Sequence, residues 1–143
     1  MTTPVTVTRH PPIPLSHNEC FRLLGTPERG RRALVSINGD PPVPLGCLVL
    51  DPGRLLIPTG TDRTLVRASA GRPVTVEFAH DDHGGESWTV TGMGLARPMV
   101  WADRPSPLPR TTFTSDMASP FDNGIVVEVA RLSGHRSCPE ART

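Results

Sequence analysis

Residues 31–58 read RRALVSINGDPPVPLGCLVLDPGRLLIP, and this stretch decides the fold. From Arg31 apolar residues recur every second position: Ala33, Val35 and Ile37 share one face of an extended chain. Asn38-Gly39-Asp40 then supplies a tight turn. Val43, Leu45, Cys47 and Val49 alternate on the return, Asp51-Pro52-Gly53 turns the chain again, and Leu55-Leu56-Ile57 follows. The spacing predicts a three-stranded antiparallel meander over 31–58. Leu48 and Leu50 also make the second strand apolar on its opposite face. Burial on both faces suits a barrel or a dimer contact better than an open sheet.

Upstream, Ser16 reads as a helix N-cap with Glu19 completing a capping box, and Leu15 is placed to staple onto Cys20. Phe21, Leu23 and Leu24 give the short helix its apolar surface, and Gly25 with Pro27 ends it. Downstream, residues 61–70 suit a second short helix, capped by Thr61 or Asp62, with Leu65, Val66 and Ala68 inward and Gly71 as its stop. Alternation returns at Val74, Val76 and Phe78, at Trp88, Val90 and Gly92, and at Ile125, Val127 and Val129. Residues 103–123 carry Pro, Ser and Thr with little period, and are expected to pack on the surface or to move over a site. The expectation is a mainly β protein: a barrel or sandwich of about six antiparallel strands with short helices. Residues 1–14 read as a flexible or extended arm, 15–136 as the domain and 137–143 as a frayed tail.

The 143 residues suit one domain, and 17 prolines with only 4 % aromatic residues favour short strands and many turns over a helix bundle. A formal net charge of +1 gives no broad attraction to nucleic acid or to acidic membranes, and no apolar run is long enough to span a bilayer. With no signal-peptide pattern at the start, a soluble cytoplasmic protein is expected. Three cysteines without paired spacing indicate neither a disulfide framework nor a zinc knuckle.

The order of features resembles the FMN-binding split-barrel family, the pyridoxamine 5′-phosphate oxidase-like proteins, and within it the small nitroimidazole-resistance-like branch. The matching pieces are Glu19-Cys20 in the first helix, Gly30-Arg31 leading a strand, the Pro41–Leu48 strand, and the Ile57–Leu65 segment entering a helix. Val74–Phe78, Trp88–Gly92 and Ser133-Gly134-His135-Arg136 complete the order, so the resemblance spans about residues 15–136. It implies a split β-barrel that forms a homodimer, with FMN in a groove between subunits. It assigns the flavin ring to Val43, Pro44, Leu45 and Gly46, and the phosphate to Pro58, Thr59, Gly60, Thr61, Arg63 and Thr64. Many relatives carry Arg where Pro58 stands and Lys where Thr64 stands. Charge for a phosphate then falls to Arg63, with Arg67 one helical turn beyond. FMN is the expected cofactor, with a deazaflavin as the alternative.

The function implied is a flavin-dependent oxidoreductase of unknown substrate. Two alternatives stay open: a non-catalytic dimeric module that binds a deazaflavin, tetrapyrrole or other anionic ligand, and a cofactor-free structural dimer. Thr59–Leu65 also reads as a plain strand–helix connection. His80-Asp81-Asp82-His83 holds four potential metal ligands but reads as a solvated acidic turn, so no metal site is assigned. Trp88 and Cys47 read as core residues and His135 as a surface residue. Ser16, Ser36 and the histidines show no nucleophile-elbow spacing.

Overall fold

The computed structural model describes residues 11–25, 30–51, 53–81, 85–109, 114 and 117–137. Seven strands and two helices run in the order β1 (Ile13–Leu15), α1 (His17–Leu24), β2 (Arg31–Ile37), β3 (Val43–Asp51), β4 (Arg54–Pro58), α2 (Thr64–Ser69), β5 (Pro73–Asp81), β6 (Ser87–Pro98) and β7 (Gly124–Ser137). A single 3₁₀ turn spans Trp101–Asp103.

All pairings are antiparallel, in the order β1-β7-β4-β3-β2-β5-β6, and a β6–β7 pairing closes the ring. Six strands therefore form a closed barrel. The split lies along one edge of β7, whose first half pairs with β4 through Gly124–Glu128 and whose last turn of chain pairs with β1 through Gly134–Arg136. Residues 13–15 are thus bound in the sheet, while residues 1–10 lie outside the described part. The β6–β7 register shifts between Met93 and Gly94. A Cβ on Gly94 would run into the backbone of Glu128, so only glycine lets the two strands approach there.

The meander is present as the alternation predicts, with Asn38 and Gly39 both at positive φ in its first turn. Ala33, Val35 and Ile37 point into the barrel with Cys47, Val49, Leu55, Ile57, Val74, Val76, Phe78, Trp88, Val90 and Val127. α1 covers one end of this core with Cys20 and Leu24. Its capping box is complete: Glu19 N–H donates to Ser16 Oγ at 3.1 Å, and Ser16 N–H donates to Glu19 Oε1 at 3.2 Å.

β3 is buried on both faces, and the second cover comes from the same chain. Leu48 and Leu56 point outward and pack with Val126, Phe121, Leu50 and Met99. Met99 and Phe121, at the two ends of the long connection after β6, thus cover the outer face of β3, β4 and β7. No helix among the described residues is long and apolar enough to cross a membrane.

Candidate functional site

Beside β2, β3 and β4 lies a cleft of about 270 Å³. Its floor and walls are Pro44, Leu45 and Gly46 of β3, Ile57 and Pro58 of β4, and Thr59, with Arg32, Asp62, Leu65 and Met117 at its sides. The register explains this meeting. Arg32 stands opposite Gly46, and Leu34 opposite Pro44. Residues directly opposite in an antiparallel pair share a face, so Arg32 leans past a position with no side chain.

Five of the ten residues assigned from the sequence come together in this cleft: Pro44, Leu45, Gly46, Pro58 and Thr59. The other five do not line it. Val43 is exposed at the start of β3, opposite Val35. Gly60 is buried behind Thr59, and Thr61, Arg63 and Thr64 face outward around the start of α2. Arg67 is also exposed.

The backbone shows why. Thr59 N–H donates to Asn123 O at 3.0 Å, Gly60 N–H to Pro120 O at 3.1 Å and Asp62 N–H to Thr59 O at 3.2 Å. Asn123 Nδ2 donates to Gly60 O at 2.8 Å, and Thr64 N–H donates to Asp62 Oδ1 at 2.8 Å. Pro58 has no N–H. Of the N–H groups from 58 to 64, only those of Thr61 and Arg63 are left over for an anion. Gly60 sits at φ 64°, and an added Cβ would lie 3.0 Å from Ala118 O and 3.3 Å from Met117 Cε. Its conformation and its lack of a side chain both press the 117–123 segment against the cleft.

α2 starts later than the cap residues suggested. It begins at Thr64, with Arg63 in the N-cap position and making no side-chain cap. Asp62 does accept from the helix start, one residue earlier, and that hydrogen bond holds its carboxyl below the usual range. Leu65 and Val66 do turn inward, whereas Ala68 is exposed and Ser69 takes the buried place.

Two features of the cleft lack internal partners among the described residues. Thr59 Oγ1 is buried and makes no hydrogen bond, although buried hydroxyls are nearly always paired. Arg32 is exposed at the cleft side and forms no ion pair with a described residue. Together they offer a hydroxyl and a guanidinium to an oxyanion, between apolar walls that suit a flat ring. Arg32 is the residue that motif reasoning passed over. Its signal was the β2–β3 register, which mirrors about Gly39 and so brings Arg32 to Gly46.

The remaining candidates take structural places. Trp88 is in the core, stacked on His80 at 5.6 Å between ring centroids, with the Arg31 guanidinium 5.3 Å from its ring. Cys47 is 1 % exposed, and burial pushes its thiol pKa up. His80 and Asp81 end β5, while Asp82 and His83 lie outside the described residues. His135 is on β7, exposed opposite Thr89, as the surface reading expects.

No protein-family model matches the sequence, and no curated protein matches it. Solved structures do share the fold. The FAD-binding protein of Mycobacterium smegmatis superposes with a TM-score of 0.61 at 23% identity, over 88% of this chain and 98% of that one. A proposed pyridoxamine 5′-phosphate oxidase from Corynebacterium glutamicum gives 0.60 at 18% identity, over 94% and 98%. A proposed 5-nitroimidazole antibiotic resistance protein from Bacteroides thetaiotaomicron gives 0.56 at 11% identity, over 96% of each chain. The chain has the split-barrel fold of the pyridoxamine 5′-phosphate oxidase-like proteins.

Proposed function

We propose that this chain is a flavin-binding oxidoreductase that works as a cytoplasmic homodimer, with FMN as its cofactor. The observation that carries the reading is the buried, unpartnered Thr59 Oγ1 in the cleft that Arg32 also lines. A neighbour of the same fold is described as FAD-binding, which supports a flavin in the same region.

Arg32 and Thr59 Oγ1 hold the phosphate end. Pro44, Leu45 and Gly46 carry the ring, Gly46 because it leaves β3 bare where a planar group must approach the strand. Asp62 is the one carboxylate in the lining, and its charge favours an anion placed against Arg32 rather than against the start of α2. When bound, a flavin supplies electron transfer at its isoalloxazine ring, while the chain binds it, orients it and keeps water from it. Leu34, 44 % exposed, stands opposite Pro44 beside the cleft. A second copy seated there covers it and closes the open side. The described cysteines, Cys20 and Cys47, are free and buried, in keeping with a reducing compartment.

A second reading, a module that binds a deazaflavin or another anion without turnover, is favoured by one fact. The lining offers no histidine, cysteine or lysine to move a proton near neutral pH. Gel filtration of the purified chain after incubation with FMN, FAD or a deazaflavin tests both. Flavin absorption that co-elutes at dimer mass, and is bleached by a nicotinamide donor, is the expected result. Flavin that co-elutes but never cycles selects the second reading. A chain that stays colourless with every flavin overturns both.

A further inference from the structure

A second pocket lies at the other end of the β3–β4 hairpin. It is about 330 Å³, open on one side, and is lined by Leu50, Asp51 and Arg54 on the hairpin and by residues of the segment Ala102–Pro109. It shares no residue with the flavin cleft. Five steps along the strand separate Gly46 from Asp51, roughly 16 Å at the usual rise, and the Leu48–Leu56–Phe121 layer fills the space between.

The polar groups of this pocket are unequally satisfied. Asp103 accepts Arg97 Nη1 and Nη2 at 2.7 and 2.8 Å and Val100 N–H at 2.8 Å, with Arg54 Nη1 at 3.5 Å. Asp51 accepts Arg54 Nε at 2.8 Å, Arg54 Nη2 at 2.6 Å and Gly53 N–H at 2.9 Å. Both carboxylates are therefore fully engaged. Arg104 is not. Its guanidinium lies 4.1 Å from the Trp101 ring centre, it makes no ion pair among the described residues, and its Nε is buried without a partner. Arg104 is thus the unpaired charge of the pocket, and a complementary ligand brings an acceptor to it.

We propose that this pocket is a second ligand site, one that takes a small apolar monocarboxylate bound through Arg104. The remaining walls are Leu50, Ala102, Pro105, Pro107 and Pro109, with Ser106 as the one hydroxyl. They suit an apolar body. A single unpaired guanidinium beside two carboxylates matches one negative charge better than the two of a phosphate monoester. The volume is about twice that of a cavity that takes benzene, which sets the size at a bicyclic ring or its branched equivalent. Trp101 lies outside the pocket lining, 78 % exposed, with a ring face against the Arg104 guanidinium, so its indole reports on what binds Arg104.

The probe is 1-naphthoate, titrated into the intact ¹⁵N-labelled chain while the two tryptophan indole resonances are followed. The Trp101 resonance shifts saturably, the Trp88 resonance stays in place, and neutral 1-naphthamide leaves both unmoved. Arg104→Ala and Arg104→Lys each weaken 1-naphthoate by about tenfold or more, because a bidentate charged contact is lost. An unchanged Trp88 resonance certifies that each variant is folded. Arg32→Ala, in the other cleft, leaves the affinity within about twofold. The proposal is overturned if 1-naphthamide binds as well as the acid, if inorganic phosphate displaces 1-naphthoate at equal concentration, or if binding survives both Arg104 variants.

Discussion

Arg32 of β2 stands directly opposite Gly46 of β3, and both face the cleft whose far wall carries the unpaired hydroxyl of Thr59. A cation, a bare stretch of strand and an unsatisfied hydroxyl are each ordinary alone. In one cleft they form a place where an anionic ring compound gains contacts that nothing in the chain supplies.

Thr59→Val separates binding from stability. The change keeps the shape and removes a buried hydroxyl that lacks a partner, so the ligand-free chain melts at the same temperature or up to a few degrees higher. The same variant binds FMN more weakly, by about three- to tenfold, because a neutral hydrogen bond contributes ~0.5–1.5 kcal/mol. Calorimetric melting and a flavin fluorescence titration read the two effects. A clear loss of stability in the ligand-free variant contradicts the unpaired hydroxyl.

Gly60→Ala strains the wall behind the cleft. The residue would hold φ 64° with its Cβ 3.0 Å from Ala118 O, at a cost of about 1–3 kcal/mol. Urea denaturation shows a lower midpoint with an unchanged slope. Flavin affinity falls with it, since Met117 and the 117–123 segment are displaced from the cleft.

Asp103 links stability to pH. Its carboxyl is held below the ordinary value by the hydrogen bonds from Arg97, against the opposing effect of burial. A lowered folded-state pKa means a contribution present above the unfolded value of about 4 and lost as pH falls through the folded value. Denaturation midpoints therefore drop below about pH 4. Asp103→Asn lowers stability at neutral pH by about 1–3 kcal/mol, a figure reduced for the partial exposure of Arg97. It also flattens the acid limb of the profile, and a limb that stays unchanged contradicts the assignment.

Phe121→Ala tests the outer layer. Phe121 is 5 % exposed and covers Leu48, Leu56 and Val126 on the outside of the barrel. Its removal costs about 3 kcal/mol. Hydrogen exchange then rises in the 117–123 segment and in β4 before it rises in β5, because the inner core does not use Phe121.

Much of the barrel is readable from local pattern. Ser16 with Glu19, the alternation of Ala33, Val35 and Ile37, and the turn at Asn38-Gly39 are each governed by neighbours a few residues away, and each forms as the pattern indicates. What stays hidden depends on distant partners. Leu48 and Leu50 announce a second buried face, but that the cover is Phe121 of the same chain follows from a 70-residue return through the barrel. α2 starts at Thr64 because Asp62 already serves its first N–H from one residue upstream. Thr61, Arg63 and Thr64 look like a phosphate loop in sequence, yet the neighbouring N–H groups of Thr59 and Gly60 are engaged by Pro120 and Asn123. The cation that lines the cleft comes instead from Arg32, which only the strand register discloses.

A titration of FMN into the purified chain, beside the Arg32→Ala variant, tests the central claim most directly. The account predicts saturable binding of one flavin per chain, quenched or shifted in fluorescence, and weakened about tenfold or more in the variant, the loss of a charge-assisted contact of ~1.5–3 kcal/mol. Equal affinity in the two proteins, or no saturation in the parent chain, contradicts it.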